Sequence, residues 1–163
     1  MKMLKMRAGV ALLIMLGMAI SGCGKGISYN KEADELGASM TAHLKAQSPI
    51  LDVAYFYSYG LDGSSSLWFT ATVKESQISD TVTRQLYELA LDDYWQSPAK
   101  VYAIDIRFYS SDKPPLPDRD DSARVVKQYH FYWAESSANE SDDQIRLEQQ
   151  FGPRPTPSPT PTK

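Results

Sequence analysis

The chain has 163 residues, 42% of them hydrophobic and 23% charged, with a formal net charge of −3. That suffices for one modest globular domain with appendages, excludes a multidomain enzyme, and is too apolar for full disorder. An acidic sequence pI near 5.4 argues against a nucleic-acid surface, and a single cysteine excludes an intrachain disulfide or a cysteine-cluster metal site.

Residues 1–7 are basic through Lys2, Lys5 and Arg7. Residues 8–20 (AGVALLIMLGMAI) then carry no charged or strongly polar group. As a helix that run spans roughly 20 Å, short of the ~30 Å hydrocarbon core of a bilayer. A basic head, a short apolar run and small residues read as a secretory signal over residues 1–22. With that segment set aside, the remainder holds 14 basic and 20 acidic side chains, a net charge of −6. Ile20-Ser21-Gly22 leads directly into Cys23, the one cysteine of the chain. The run resembles the lipobox of bacterial lipoproteins, an aliphatic residue and two small residues before the cysteine to be lipidated. The resemblance implies diacylglyceryl transfer to the Cys23 thiol and cleavage between Gly22 and Cys23, with acylation of the new amine as a further step. Several acyl chains supply the anchors that stable attachment needs, at ~0.8 kcal/mol per buried methylene. The expectation is an exported protein anchored to the outer side of the cytoplasmic membrane or to the outer membrane. Gly24 stands where an aspartate would imply retention at the inner membrane.

Residues 23–30 form the lipidated cysteine and a short tether, which at ~5–6 Å × √n holds the following domain near the membrane. Over 31–46, Ala33, Leu36, Met40 and Leu44 recur at helical spacing, with Asn30 as cap and Pro49 beyond the end. Gly37 interrupts that pattern. Residues 50–59 and 67–74 are aromatic and β-branched, and the GLDGSSS stretch between them predicts an antiparallel hairpin. Leu51, Val53, Tyr55, Tyr57 and Tyr59 share one face by parity, and Phe56 points the other way. A second helix spans 79–96, capped by Ser79 or Asp80, with a stripe of Val82, Leu86, Leu89, Ala90 and Trp95. Strands resume at 100–109, where Tyr102, Ile104, Ile106 and Phe108 alternate with Asp105 and Arg107. The last is 124–134, where Val125, Lys127, Tyr129, Phe131 and Trp133 alternate with Val126, Gln128, His130 and Tyr132.

These elements predict an α+β domain over 31–134. Its order is αββαββ, with two helices on one face of a four-stranded, mostly antiparallel sheet. In element order it is similar to small periplasmic modules such as the BON domain, and shared order does not fix function. Residues 135–151 read as an acidic tail with room for a short helix anchored by Ile145, Leu147 and Phe151. Residues 152–163, with proline at every second position from 153 to 161, read as extended and solvated.

Catalytic groups are scarce. Cys23 is committed to lipid, no serine sits in a G-x-S-x-G elbow, and no phosphate-cradling glycine loop or dinucleotide fingerprint occurs. His43 reads as a boundary residue of the first helix and His130 as a strand residue, and the two are not at metal-ligand spacing. Asp112, Asp118, Asp120 and Asp121 cluster in a proline-rich loop that lacks the turning glycine of a calcium site, so the loop reads as solvated. Asp142 and Asp143 read the same way. No cofactor, metal or catalytic residue is assigned.

Aromatic density is the unusual feature. Tyrosine and tryptophan favour interfaces, and Tyr57, Tyr59, Trp68, Tyr132 and Trp133 are the candidates for contact. The expected function is a non-enzymatic binding or assembly module for another envelope protein or a wall component, with no nucleic acid. The alternative is a small envelope enzyme acting on cell-wall material with His130 and a carboxylate, Asp105 foremost. A closed pocket joining them would favour the enzyme; an open aromatic sheet face would favour binding.

Overall fold

The computed structural model describes residues 30–59, 64–116, 121–134 and 139–155. The expected signal segment, Gly22, Cys23, residues 60–63, Asp118, Asp120 and residues 156–163 lie outside them. Side-chain caps start both expected helices. Asn30 Oδ1 accepts from the Ala33 amide at 3.1 Å and opens α1 (Lys31–Lys45). Ser79 Oγ accepts from the Val82 amide at 3.2 Å and opens α2 (Asp80–Gln96). The strands are β1 (Ile50–Tyr59), β2 (Ser65–Val73), β3 (Ala103–Ser110) and β4 (Val125–Tyr132), and a third helix, α3 (Asp142–Phe151), follows them.

The sheet order is β1-β2-β3-β4. The two sequence-adjacent pairs, β1–β2 and β3–β4, run antiparallel, while α2 acts as a crossover that delivers β3 parallel to β2. α1 lies on β1, and α2 contacts α1, β3 and β4. The helices therefore cover one face, as the sequence predicts. Leu67, Phe69, Ile104, Ile106, Phe108 and Phe131 fill the space beneath them.

Three local expectations change. A register shift between Ile50 and Asp52 sends Ile50 inward beside Val53 and leaves Leu51 53% exposed, although parity placed Leu51 on the core face. On α2 the buried stripe turns toward Thr83, Tyr87, Leu91 and Tyr94, leaving Val82 and Leu89 at its margin. Tyrosines can take those positions because each buried hydroxyl has a partner. Finally, the packed unit runs past 134.

That extension is built on polar tips. Tyr87 Oη donates to Asp143 Oδ2 at 3.2 Å, and the Arg84 guanidinium pairs with the same carboxylate. Asp143 is thus an interior tie between α2 and α3, not a solvated acid. Trp95 Nε1 donates to the Gly152 carbonyl at 2.9 Å. Buried Gln144 accepts from the Ala134 amide at 3.0 Å and donates to the Ala134 carbonyl at 3.1 Å, so its amide pairs with the backbone just beyond β4. Leu147 seats in the core. Arg154 then lies over Tyr94 and Trp133, 4.1 and 5.0 Å from their ring centroids, and donates to the Ala99 carbonyl at 2.6 Å. Burial lowers the Arg154 pKa and pushes the Tyr94 phenol up to about 12. Gly152 and Arg154, expected as solvated tail, are held against the domain, while Pro153 and Pro155 are exposed.

Gly37 also finds its reason. It faces the Tyr55 ring so closely that a methyl group there would overlap the ring carbons. That ring is held from the other end, because its hydroxyl donates to the Asp34 carbonyl at 3.1 Å and to Asp34 Oδ1 at 2.8 Å.

In an open helix Gly→Ala gains about 1 kcal/mol. Here Gly37→Ala is expected to destabilise by about 1–3 kcal/mol, the usual range for overpacking, read as a lower urea midpoint. Removing residues 152–163 is expected to lower Tm by about 4 °C or more, with Arg154→Ala giving most of the loss. An unchanged Tm would show that the Arg154 contacts add nothing.

Candidate functional site

Alternation in the strands sends every second side chain away from the helices. Sheet register then lines those outward residues into rows. One row runs Phe56, Trp68, Asp105, His130 from β1 to β4. The next holds Ala54, Thr70, Arg107 and Gln128, and the one on the other side holds Ser58, Ser66, Ala103 and Tyr132. No helix among the described residues covers these rows. At the far end of β3 the loop before β4 folds over Tyr109, whose hydroxyl donates to Asp121 Oδ1 at 2.9 Å.

The aromatic half of the face is a stack. Phe56 and Trp68 lie nearly parallel, 6° apart with centroids at 5.9 Å, and the Arg107 guanidinium sits 5.6 Å from the Trp68 ring. A cavity of ≈ 250 Å³ opens there, lined by Phe56, Ser58, Trp68, Phe69, Thr70 and Arg107.

The polar half centres on Asp105, 1% exposed although it points to the open face. Its neighbours enclose it. Oδ2 accepts from Gln128 Nε2 at 2.7 Å and pairs with His130 Nδ1 at 3.0 Å. The contact is a hydrogen bond in which Nδ1 carries the proton when it faces the carboxylate oxygen. No hydrogen bond engages Nε2 among the described residues. Oδ1 has no hydrogen-bond partner either; it forms an ion pair at 3.7 Å with Arg107 Nε, which is likewise buried and without a hydrogen bond. Tyr132 closes this half, edge-on to His130 at 4.0 Å, and is itself 65% exposed.

The five aromatic candidates are divided by this geometry. Trp68 and Tyr132 share the open face. Tyr57 and Trp133 point to the helix side, where Trp133 stacks on Tyr102 at 6.2 Å beneath Arg154, so neither belongs to the same surface. Tyr59 shares their parity and is exposed at the end of β1. Asp105 and His130 do come together, on an open face and not in a closed pocket. Phe56, Arg107 and Gln128 complete the site and were not among the candidates. Their outward parity was readable, but which strands stand side by side was not.

Other expected features resolve into structure. His43 Nδ1 lies 2.9 Å from Asp93 Oδ2 and ties α1 to α2. Asp121 also accepts from the Leu116 amide at 3.2 Å, so it braces its own loop. Asp112 is exposed at the preceding turn. Among the described residues no group of three or more His, Cys, Asp or Glu could hold a metal ion.

No protein-family model matches the chain. No curated protein matches it. Among solved structures it is similar to the fatty acid AMP ligase from Legionella pneumophila, at 13% identity and a TM-score of 0.37. That match covers 60% of this chain and 19% of the ligase chain, and so weak a likeness carries no argument about fold or activity.

Removing one member of a buried, hydrogen-bonded ion pair costs stability, because its partners are left uncompensated. Asp105→Leu strips Arg107 Nε, Gln128 Nε2 and His130 Nδ1 of their shared carboxylate and is expected to lower the urea midpoint. An unchanged midpoint would show that all three side chains turn to water without cost.

Proposed function

We propose that the protein is a lipid-anchored component of the bacterial cell envelope that binds another envelope component through the open face of its sheet. The anchor rests on the sequence: the basic head, the short apolar run, and Ile20-Ser21-Gly22 before Cys23. Among the described residues no helix is long and apolar enough to cross a membrane. The observation that carries the binding reading is the uncovered row Phe56, Trp68, Asp105, His130, where aromatic and hydrogen-bonding side chains stand together facing solvent. Such a mixture is costly to leave open and suits a contact surface.

One observation favours the enzymatic alternative. The Asp105–His130 pair orients an imidazole with Nε2 unengaged, the arrangement of a general base. No hydroxyl among the described residues is hydrogen-bonded to His130, so a proton it removed would come from water or from a substrate. Binding remains the main reading, with the pair as part of the recognition surface.

Expression in a bacterium with labelled palmitate tests the anchor. The full chain is expected to be shortened, acylated and membrane-bound, and Cys23→Ala to remain full-length and unlabelled. A Cys23→Ala product that is still shortened and acylated overturns the anchor. In the same cells, crosslinking followed by mass spectrometry of the lipidated protein reads the contact surface. Crosslinks are expected from the Trp68–Tyr132 face and lost in Trp68→Ala; crosslinks from other faces alone overturn its role.

A further inference from the structure

Building on that reading, we propose that the open sheet face binds a neutral sugar ring of a wall glycan, seated in the cavity between Phe56, Trp68 and Arg107. The inference deepens the envelope-binding reading by naming the ligand class, and it depends on that reading for the source of the glycan.

Size is the first argument. The cavity, at ≈ 250 Å³, falls just below the roughly 300–1,000 Å³ of sites for drug-sized ligands, so it takes one ring and not a nucleotide. Its walls are the second. Phe56 and Trp68 offer flat apolar rings, while Ser58 and Thr70 offer hydroxyls beside them. A pyranose has the matching division, with C–H groups on its faces and hydroxyls around its rim. An acyl chain would leave the polar walls without partners, which costs more than the apolar contact returns.

Charge is the third. Among the described residues Arg107 is the one cation on the cavity wall, and Asp105 two residues away on the same face compensates it. A site with balanced charge does not select an ionic ligand. It does need hydrogen bonds. Asp105 Oδ1, a pure acceptor, and Arg107 Nε, a pure donor, face each other as an ion pair at 3.7 Å, too long for a hydrogen bond, and neither has another hydrogen-bond partner. A hydroxyl is donor and acceptor at once and bonds to both only where the partly exposed Arg107 side chain turns aside, because both atoms are buried. Beyond the cavity, Gln128, His130 and Tyr132 extend the surface along the sheet, giving a glycan strand further polar and aromatic contacts.

The test uses the full chain in detergent, with tetra-N-acetylchitotetraose and cellotetraose as neutral β-1,4-linked probes. Titration is followed by tryptophan fluorescence and by calorimetry. Saturable binding of at least one probe is expected, with an affinity that changes less than about twofold between about 50 and about 500 mM NaCl. Phe56→Ala removes a side chain that is 57% exposed, so folding is preserved, and it is expected to weaken binding by about tenfold. Tyr59→Ala, on the other parity of the same strand, is expected to leave binding unchanged. Three results each overturn the proposal: no saturable binding of either probe, full affinity in Phe56→Ala, or a steep loss of affinity with salt. If the sugars fail while the acylated protein still crosslinks to a protein through this face, the glycan is excluded and the anchored binding module stands.

Discussion

A buried hydroxyl or indole N–H must find an acceptor, and α2 buries three such aromatic side chains. Tyr87, Tyr94 and Trp95 sit at or below 1% exposure and reach Asp143, the Val101 carbonyl and the Gly152 carbonyl respectively. Each missing acceptor would cost about 1–3 kcal/mol. The acceptors come from the segment leading into β3, from α3 and from the residue after it. That requirement fixes the path of the chain after α2, including the docking of a segment with little apolar surface of its own. Burial holds the phenols of Tyr87 and Tyr94 protonated well above ordinary pH, so they stay donors.

Because α2 spends its apolar face on β3, β4 and α3, and α1 lies on β1, the described helices leave the other side of the sheet uncovered. An uncovered sheet face ordinarily carries small polar or charged side chains. Here it carries a parallel Phe56–Trp68 pair and a carboxylate buried by its own neighbours. Asp105 is enclosed without a covering layer because Trp68 and His130 flank it in the same row and Gln128 bonds to it from the next. The polar centre is thereby held in a fixed geometry while Phe56 and Tyr132 remain available at its margins.

Much of this was legible in the sequence. The 3.6-residue spacing of Ala33, Leu36, Met40 and Leu44 marks the inner face of α1, and alternation in 100–109 and 124–134 sorts Asp105, Gln128 and His130 from Ile104, Ile106 and Phe131. Parity assigns a side, however, not a neighbour. Trp68, Asp105 and His130 lie on three strands whose adjacency depends on the parallel pairing set by α2, and local pattern is silent about that. Tyr57 and Trp133 were grouped with Trp68 because all are aromatic, yet they fall on the helix side. The short helix expected in 135–151 is present as α3, but the way it attaches was hidden for a related reason. Its attachment runs through Asp143, Gln144 and Leu147 more than through an apolar stripe, and polar residues that serve as acceptors look in a sequence like residues that serve as solvent.

The bonds that complete α2 have a consequence for the order of events in folding. Tyr87 meets Asp143 across 56 residues and Trp95 meets Gly152 across 57, so neither tip is satisfied by anything nearby in sequence. A chain emerging from its N-terminal side can form α1, the β1–β2 hairpin and α2 while these groups are still unpaired. The helix layer stays loosely held until residues 143–154 arrive, which delays the cooperative step to late in synthesis.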